Sequence, residues 1–228
     1  MTRSILTVID AASNYDLVTL EQVKEELNIT GSDQDEILTT RIHRASEAIN
    51  NYCNRIFIQE TVSEVFRNGW DWNKNLFLRR TPINTITNIV VGISPNTETV
   101  DSTLYEFDPN DGIGGFIYPL DSNGERVLFP ISWSSWGSWS CGNLITVTYS
   151  GGYLLANVPY MVQEACLELI KIRQNLASGS GISTDRTRIE IPGVWLKQVD
   201  TTTADTNNFF PNTIKDMLAP FKKIAFPS

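Results

Sequence analysis

Two helical patterns separated by a polar joint open the folded part of the chain. Val18 and Val23 lie where a hydrophobic staple places its two apolar residues, on either side of a capping box formed by Thr19 and Gln22. Val23 and Leu27 then recur at helical spacing. The sequence therefore predicts a short helix with one apolar face.

A longer helix is predicted after the joint at residues 28–31. Ser32 and Asp35 have the spacing of a second capping box. Asp33, Asp35 and Glu36 place negative charge where the helix dipole is positive. Apolar side chains then form a single stripe along this helix, at Leu38, Ile42, Ala45, Ile49 and Tyr52.

The period changes from helical to strand-like after residue 55. Polar and apolar side chains alternate in residues 56–66, and Asn68-Gly69 is a typical hairpin turn. Further strands are predicted at residues 76–78, within residues 79–91, where Pro82 excludes a central strand at the start, at residues 104–109 together with a turn, and at residues 116–118 and 144–153. A third helix is predicted after Pro159, because proline suits the first turn of a helix.

The two chain ends have patterns of their own. Residues 1–16 are predicted to be an arm, either a strand or cover added to another element or a loosely packed terminus. At the other end, Lys215, Lys222 and Lys223 make an apolar tail locally basic. Such a tail is expected to dock, either on its own core or on a neighbouring protein. The apolar residues that would dock are Phe209, Phe210, Ile214, Leu218, Phe221 and Phe226.

The chain is acidic, which narrows its possible partners. It has 228 residues, a net charge of -8 and 41% hydrophobic residues, so it is long enough for a sizeable core. An acidic balance disfavours binding of free nucleic acid, which usually needs a basic face. It fits ordinary solubility, and it also fits a surface that DNA slides past without adhering.

Cysteine usage and hydropathy point to a chain that folds in a reducing cytoplasm. Cys53, Cys141 and Cys166 are widely spaced, which argues against a disulfide framework or a zinc site. Cys53 and Cys166 fall in helical patterns and are expected to be buried. No segment approaches the ~20 apolar residues of a membrane span, and residues 1–13 make a poor signal peptide.

Residues capable of catalysis do not form a recognisable set. His43 is the single histidine and lies beside the apolar stripe, so a helix-surface position is expected. The glycines of residues 111–115 lack the lysine and following helix of a phosphate loop. We therefore predict a protein that is not an enzyme and has no cofactor or metal. A hydrolase with carboxylates from distant segments is the least favoured reading.

Three tryptophans recur every third residue in a loop rich in serine and glycine. Trp133, Trp136 and Trp139 cannot share one face of a strand at this spacing. Three explanations stay open: they cap the end of a β-barrel, anchor a protein contact, or stack on sugars.

The order of these patterns resembles a known family. The segments LVTLEQVKEEL and DEILTTRIHRASEAINNYCNR, followed by a strand, resemble the head-to-tail connector (adaptor) proteins of tailed bacteriophages and gene transfer agents. Two later segments are similar as well: Thr81-Pro82-Ile83 with the isoleucines that follow it, and the Tyr-x-x-Gly-Tyr pattern that ends at Tyr153.

The resemblance implies an α+β fold with a small helical bundle core. That core is expected at residues 17–55 and 157–177, with an antiparallel β domain, a barrel or sandwich, inserted at residues 56–153. An N-terminal arm at residues 1–16 and a flexible linker with a C-terminal docking arm at residues 178–228 complete the predicted organisation.

The resemblance also implies a structural role in the virion neck. Such proteins form a ring, typically of twelve copies, under the portal protein; they extend the DNA channel and carry the stopper or tail. We expect a subunit that is monomeric before assembly in the bacterial cytoplasm, with no membrane contact and with double-stranded DNA passing unbound. Asp33, Asp35 and Glu36 are candidates to line the channel, and the apolar tail is a candidate to dock on the portal or a neighbouring subunit. The alternative is a carbohydrate- or receptor-binding module that uses the three tryptophans.

Overall fold

The computed structural model describes residues 4–66, 76–108, 115–126, 144–177 and 211–223. These residues form helices and antiparallel sheets, which confirms the predicted α+β class. The chain divides into two compact units. A β unit comprises residues 1–16, 50–158 and 222–228, and a helical unit comprises residues 17–49 and 159–221.

The helical unit contains the four α-helices of the described residues. They are α1 (Leu20–Glu26), α2 (Asp35–Cys53, in this unit up to Ile49), α3 (Tyr160–Ala177) and α4 (Asn212–Leu218), which a 3-10 turn at Ala219–Phe221 follows. The predicted capping box at α1 is confirmed: the Gln22 amide donates to Thr19 Oγ1 (3.2 Å), and the Thr19 amide donates to Gln22 Oε1 (2.8 Å).

The second predicted capping box is wrong. The first helical hydrogen bond of α2 runs from the Leu38 amide to the Gln34 carbonyl (2.9 Å), so the helix begins at Asp35 and not beside Ser32. The Asp35 carboxylate instead accepts a hydrogen bond from Lys24 Nζ (2.7 Å). Lys24 of α1 therefore binds the carboxylate that the capping box would have placed on the Ser32 amide.

The helical core follows the predicted stripe. The stripe residues of α2 from Leu38 to Ile49 are buried, as are Val162, Ala165, Cys166, Leu169 and Ile170 of α3. Ser46 Oγ and Cys166 Sγ lie 3.8 Å apart, which brings α2 against α3. Gln22 Nε2 donates to Gln163 Oε1 (3.1 Å), and Lys171 Nζ lies 2.5 Å from Glu26 Oε1, so α1 packs on α3 as well.

The described residues of the β unit form eight strands in two antiparallel sheets. In chain order the strands are β1 (Ser4–Asp10), β2 (Glu60–Phe66), β3 (Leu76–Phe77), β4 (Ile83–Ile93), β5 (Asn96–Thr99), β6 (Tyr105–Phe107), β7 (Phe116–Pro119) and β8 (Ile145–Gly151). The larger sheet has the order β1-β2-β8-β4-β5, and the smaller has the order β3-β7-β6. Whether the two sheets close as a barrel or a sandwich stays a prediction.

The N-terminal segment is an edge strand of the larger sheet. Ser4 pairs with Phe66, and Leu6 pairs with Glu64. Of the alternatives that the sequence left open for this segment, the structure contains the added strand. Because β1 is the last strand of its sheet, Ile5, Val8 and Ile9 remain exposed.

One face of the larger sheet carries the core of the β unit. Val62 and Phe66 of β2 lie on this face, beside Val147 and Tyr149 of β8. Serine and threonine side chains alternate with these residues along β8 and are half-buried. Glu64 has the same phase as Val62 and Phe66, so strand alternation turns this carboxylate toward the core.

Candidate interaction surfaces

The acidic residues predicted to line a channel lie together at the start of α2, but in different environments. Asp33 and Glu36 are exposed. Asp35 is half-buried, and its charge is compensated by Lys24 across the joint between α1 and α2. Of these three predicted residues, Asp33 and Glu36 therefore have the exposed carboxylates. An open groove of about 540 Å³ runs along α1 as far as Asp35 and is lined in part by Leu20, Glu21 and Ile29.

The C-terminal helix corrects part of the docking hypothesis. α4 packs on α3, and the side chains of Ile214 and Leu218 are fully buried in the chain. These two residues therefore dock on the chain's own core, because a buried side chain is not available to another protein. Phe221 is half-buried.

Two further sets of predicted site residues lie outside the part of the chain that the structure describes. They are Phe209, Phe210 and Phe226 of the C-terminal tail, and Trp133, Trp136 and Trp139 of the serine-rich loop. Their roles stay predictions.

A cluster of buried carboxylates in the β unit was missed by the sequence analysis. Glu60 and Glu64 of β2 are 4% and 0% exposed. Glu64 accepts hydrogen bonds from the Arg79 amide, from Arg79 Nε and from the Tyr149 hydroxyl, each at 3.0 Å. Glu60 accepts from Arg80 Nε and from the Tyr15 hydroxyl, the latter at 2.9 Å.

The partners of these carboxylates show the effect of a buried negative charge. Burial and the charge of Glu64 raise the pKa of Tyr149, which keeps its hydroxyl protonated as a donor. Burial and the hydrogen bond to Glu60 raise the pKa of Tyr15. The sequence did contain an indication of these buried carboxylates, because both glutamates fall at the alternate positions of β2 that apolar residues occupy. A charged residue at such a buried position must be paired.

Lys223 joins the same cluster from the C-terminal segment. Its amide donates to the Cys53 carbonyl (2.9 Å), and its Nζ donates to the Arg79 carbonyl (2.7 Å) and lies 5.1 Å from the centre of the Phe77 ring. Burial and the nearby charge of Arg55 lower the pKa of Lys223 to about 7, although Glu64 acts in the opposite direction. Arg80 and Arg79 add to the lowering.

The described residues give little support for catalysis. No group of three or more side chains that could hold a metal occurs in the described ranges. His43 is exposed on α2, as predicted. Cys53 and Cys166 are buried, as predicted, and burial raises the pKa of the Cys53 thiol to about 11. A thiol with this pKa stays protonated and is a poor nucleophile at neutral pH.

Across the same described ranges, the helices are all too short or too polar to cross a bilayer.

The family comparison agrees with the resemblance seen in the sequence. Residues 17–72 match the model of a family described as phage gp6-like head-tail connector protein. The matched region includes α1, α2 and β2, so it contains the helical segments that carry the resemblance. The predicted resemblance to head-to-tail connectors is therefore confirmed.

Solved structures are similar over nearly the whole chain. The neck of an empty GTA particle computed with C6 symmetry contains a chain with a TM-score of 0.56. A chain in the virion of a native gene transfer agent (GTA) particle has a TM-score of 0.57. A chain in the neck of a native GTA particle computed with C12 symmetry has a TM-score of 0.53. In each case the identity is 13%, and the match covers 98% of this chain and 97% of the other. A comparison with curated proteins finds no match.

Proposed function

We propose that this chain is a structural protein of the neck of a tailed phage or gene transfer agent. In this role it is a head-to-tail connector (adaptor) and not an enzyme. The proposal rests on the agreement between two independent similarities, one in sequence and one in structure. Residues 17–72 match a head-tail connector family, and the fold of the whole chain is that of chains in GTA necks.

In the proposed assembly, about twelve copies form a ring under the portal protein. The ring extends the DNA channel and provides the platform for the stopper or tail. Assembly depends on surface complementarity repeated around the ring, so that weak contacts between subunits add up. Assembly takes place in the host cytoplasm from monomeric subunits, and the apolar tail residues Phe209, Phe210 and Phe226 are candidates for contacts with the portal or a neighbouring subunit.

The role in the neck is tested by removing the gene from the particle that encodes it. Without the chain, DNA-filled heads and tails should accumulate separately in lysates viewed by electron microscopy. A plasmid-borne wild-type gene should restore joined particles. Particles of normal shape and tail attachment in the absence of the chain would overturn the proposal.

We further propose that Asp33 and Glu36 face the DNA channel. Their exposed carboxylates would repel the phosphate backbone and let DNA pass without adhering. Asp35 contributes less, because Lys24 compensates its charge.

Charge reversal tests the channel position of these residues. The variant Asp33→Lys/Glu36→Lys should slow DNA ejection, because lysines would bind phosphates, and the effect should weaken as salt is raised. Ejection is measured by the release of DNA from purified particles. The matched control is Glu98→Lys, at an exposed carboxylate on β5 of the other unit. Equal ejection rates in the double variant, the control and the wild type would contradict the proposal.

A further inference from the structure

Arg79 contacts both ends of the described chain. Its guanidinium donates to the Ser4 carbonyl and to Ser4 Oγ, the latter from Nη2 at 3.0 Å and from Nε at 3.1 Å. Its backbone carbonyl accepts a hydrogen bond from Lys223 Nζ at 2.7 Å. One residue in the middle of the sequence therefore holds the first residue of β1 and the C-terminal segment.

Glu64 fixes Arg79 in this position. The carboxylate is fully buried and accepts from both the amide and Nε of Arg79, at 3.0 Å each. It also accepts from Ser4 Oγ and from the Tyr149 hydroxyl. A buried carboxylate is costly unless it is paired and hydrogen-bonded, so the backbone and the side chain of Arg79 are both constrained by it.

Because these contacts share one residue, they are not independent. The Arg79 amide is held by Glu64 and the carbonyl of the same residue is held by Lys223, so movement of this backbone changes both contacts. The guanidinium that holds Ser4 is attached to the same backbone. Hydrogen bonds that share a network generally show coupling between their members.

We propose that Glu64 and Arg79 form a common anchor that couples β1 to the C-terminal segment at Lys223, so that the two ends of the chain are released together. The coupling does not depend on the neck function. In a neck protein it would ensure that neither end becomes available to a partner while the other remains in place. The Arg79 side chain is 47% exposed whereas Glu64 is 0% exposed, so an approaching partner reaches the anchor from the arginine side.

The first test removes the C-terminal contact and observes the N-terminal strand. The variant Lys223→Met deletes the donor to Arg79 and keeps much of the side-chain volume. Hydrogen exchange of peptides that contain β1 should become about two- to tenfold faster, the size expected for one lost hydrogen bond. The matched control is Lys222→Met, an exposed neighbour whose Nζ lies 4.6 Å from the centre of the Tyr52 ring.

The second test runs in the opposite direction. Ser4→Ala removes the hydroxyl that contacts Arg79 and Glu64, and it should speed exchange in the peptide that contains Lys223. Thr7→Ala, at an exposed position of the same strand, serves as the control. These variants avoid replacing Glu64, whose loss would threaten folding.

Two results would overturn the coupling. The first is a change confined to the mutated end, with exchange at the other end equal to that of the wild type. The second is faster exchange throughout the chain, α3 included, because this would indicate general destabilisation and not a link between the two ends.

Discussion

Glu60 and Glu64 lie at positions of β2 where the alternation of a half-buried strand places apolar side chains. Their burial is possible because Arg79, Arg80, Tyr15 and Tyr149 supply donors. The sequence marks the two glutamates as unusual, but it cannot identify donors that come from segments distant along the chain. For the same reason Lys223 was assigned to a basic docking tail, whereas the structure places its amine on the Arg79 carbonyl.

Lys223 is expected to make stability depend on pH. Its pKa is about 7 in the folded chain, against 10.5 as the reference value. Between these values the unfolded chain binds one more proton than the folded chain, so the free energy of unfolding rises as pH increases. Below about pH 7 the lysine is charged in both states and this dependence disappears.

Urea unfolding of wild type and Lys223→Met at about pH 6 and about pH 9 measures this effect. The difference in unfolding free energy between wild type and variant should shift in favour of the wild type at the higher pH. The same difference at both pH values would show that Lys223 titrates normally.

Local patterns predicted the helices and strands well, because capping and alternation involve neighbouring residues. The capping box of Thr19 and Gln22 is an example. The failure at Ser32 has a tertiary cause, since Lys24 of α1 engages the Asp35 carboxylate. Likewise, the sequence marked Ile214 and Leu218 as apolar residues that would dock, but not the surface that covers them, which proved to be α3.

Truncating the apolar face of α4 should destabilise the chain. Ile214→Ala and Leu218→Ala each remove a fully buried side chain, with an expected cost of about 2–5 kcal/mol in unfolding free energy. Asp216→Ala, at an exposed position of the same helix, should change it by less than about 0.5 kcal/mol. Urea unfolding measures all three. Wild-type stability for Ile214→Ala and Leu218→Ala would mean that α4 contributes nothing to the fold.

At the scale of the whole molecule, the sequence predicted the class but not the topology. β8 lies between β2 and β4 although it is the last of the described strands in chain order, and no local pattern specifies such long-range pairing. The connector resemblance began with the two opening helices and continued in two later segments, and the family match lies on the region of the opening helices. The central proposal is that many copies of this chain add a ring to a portal.

The most direct test of that claim is negative-stain microscopy of the purified chain mixed with the portal protein encoded in the same genome, beside each protein alone. The account predicts an additional ring at one end of the portal, and single subunits in the sample without portal. Portal particles unchanged by an excess of the chain, with the chain still monomeric, would contradict it. Binding of sugars that requires Trp133, Trp136 and Trp139 would then become the leading explanation.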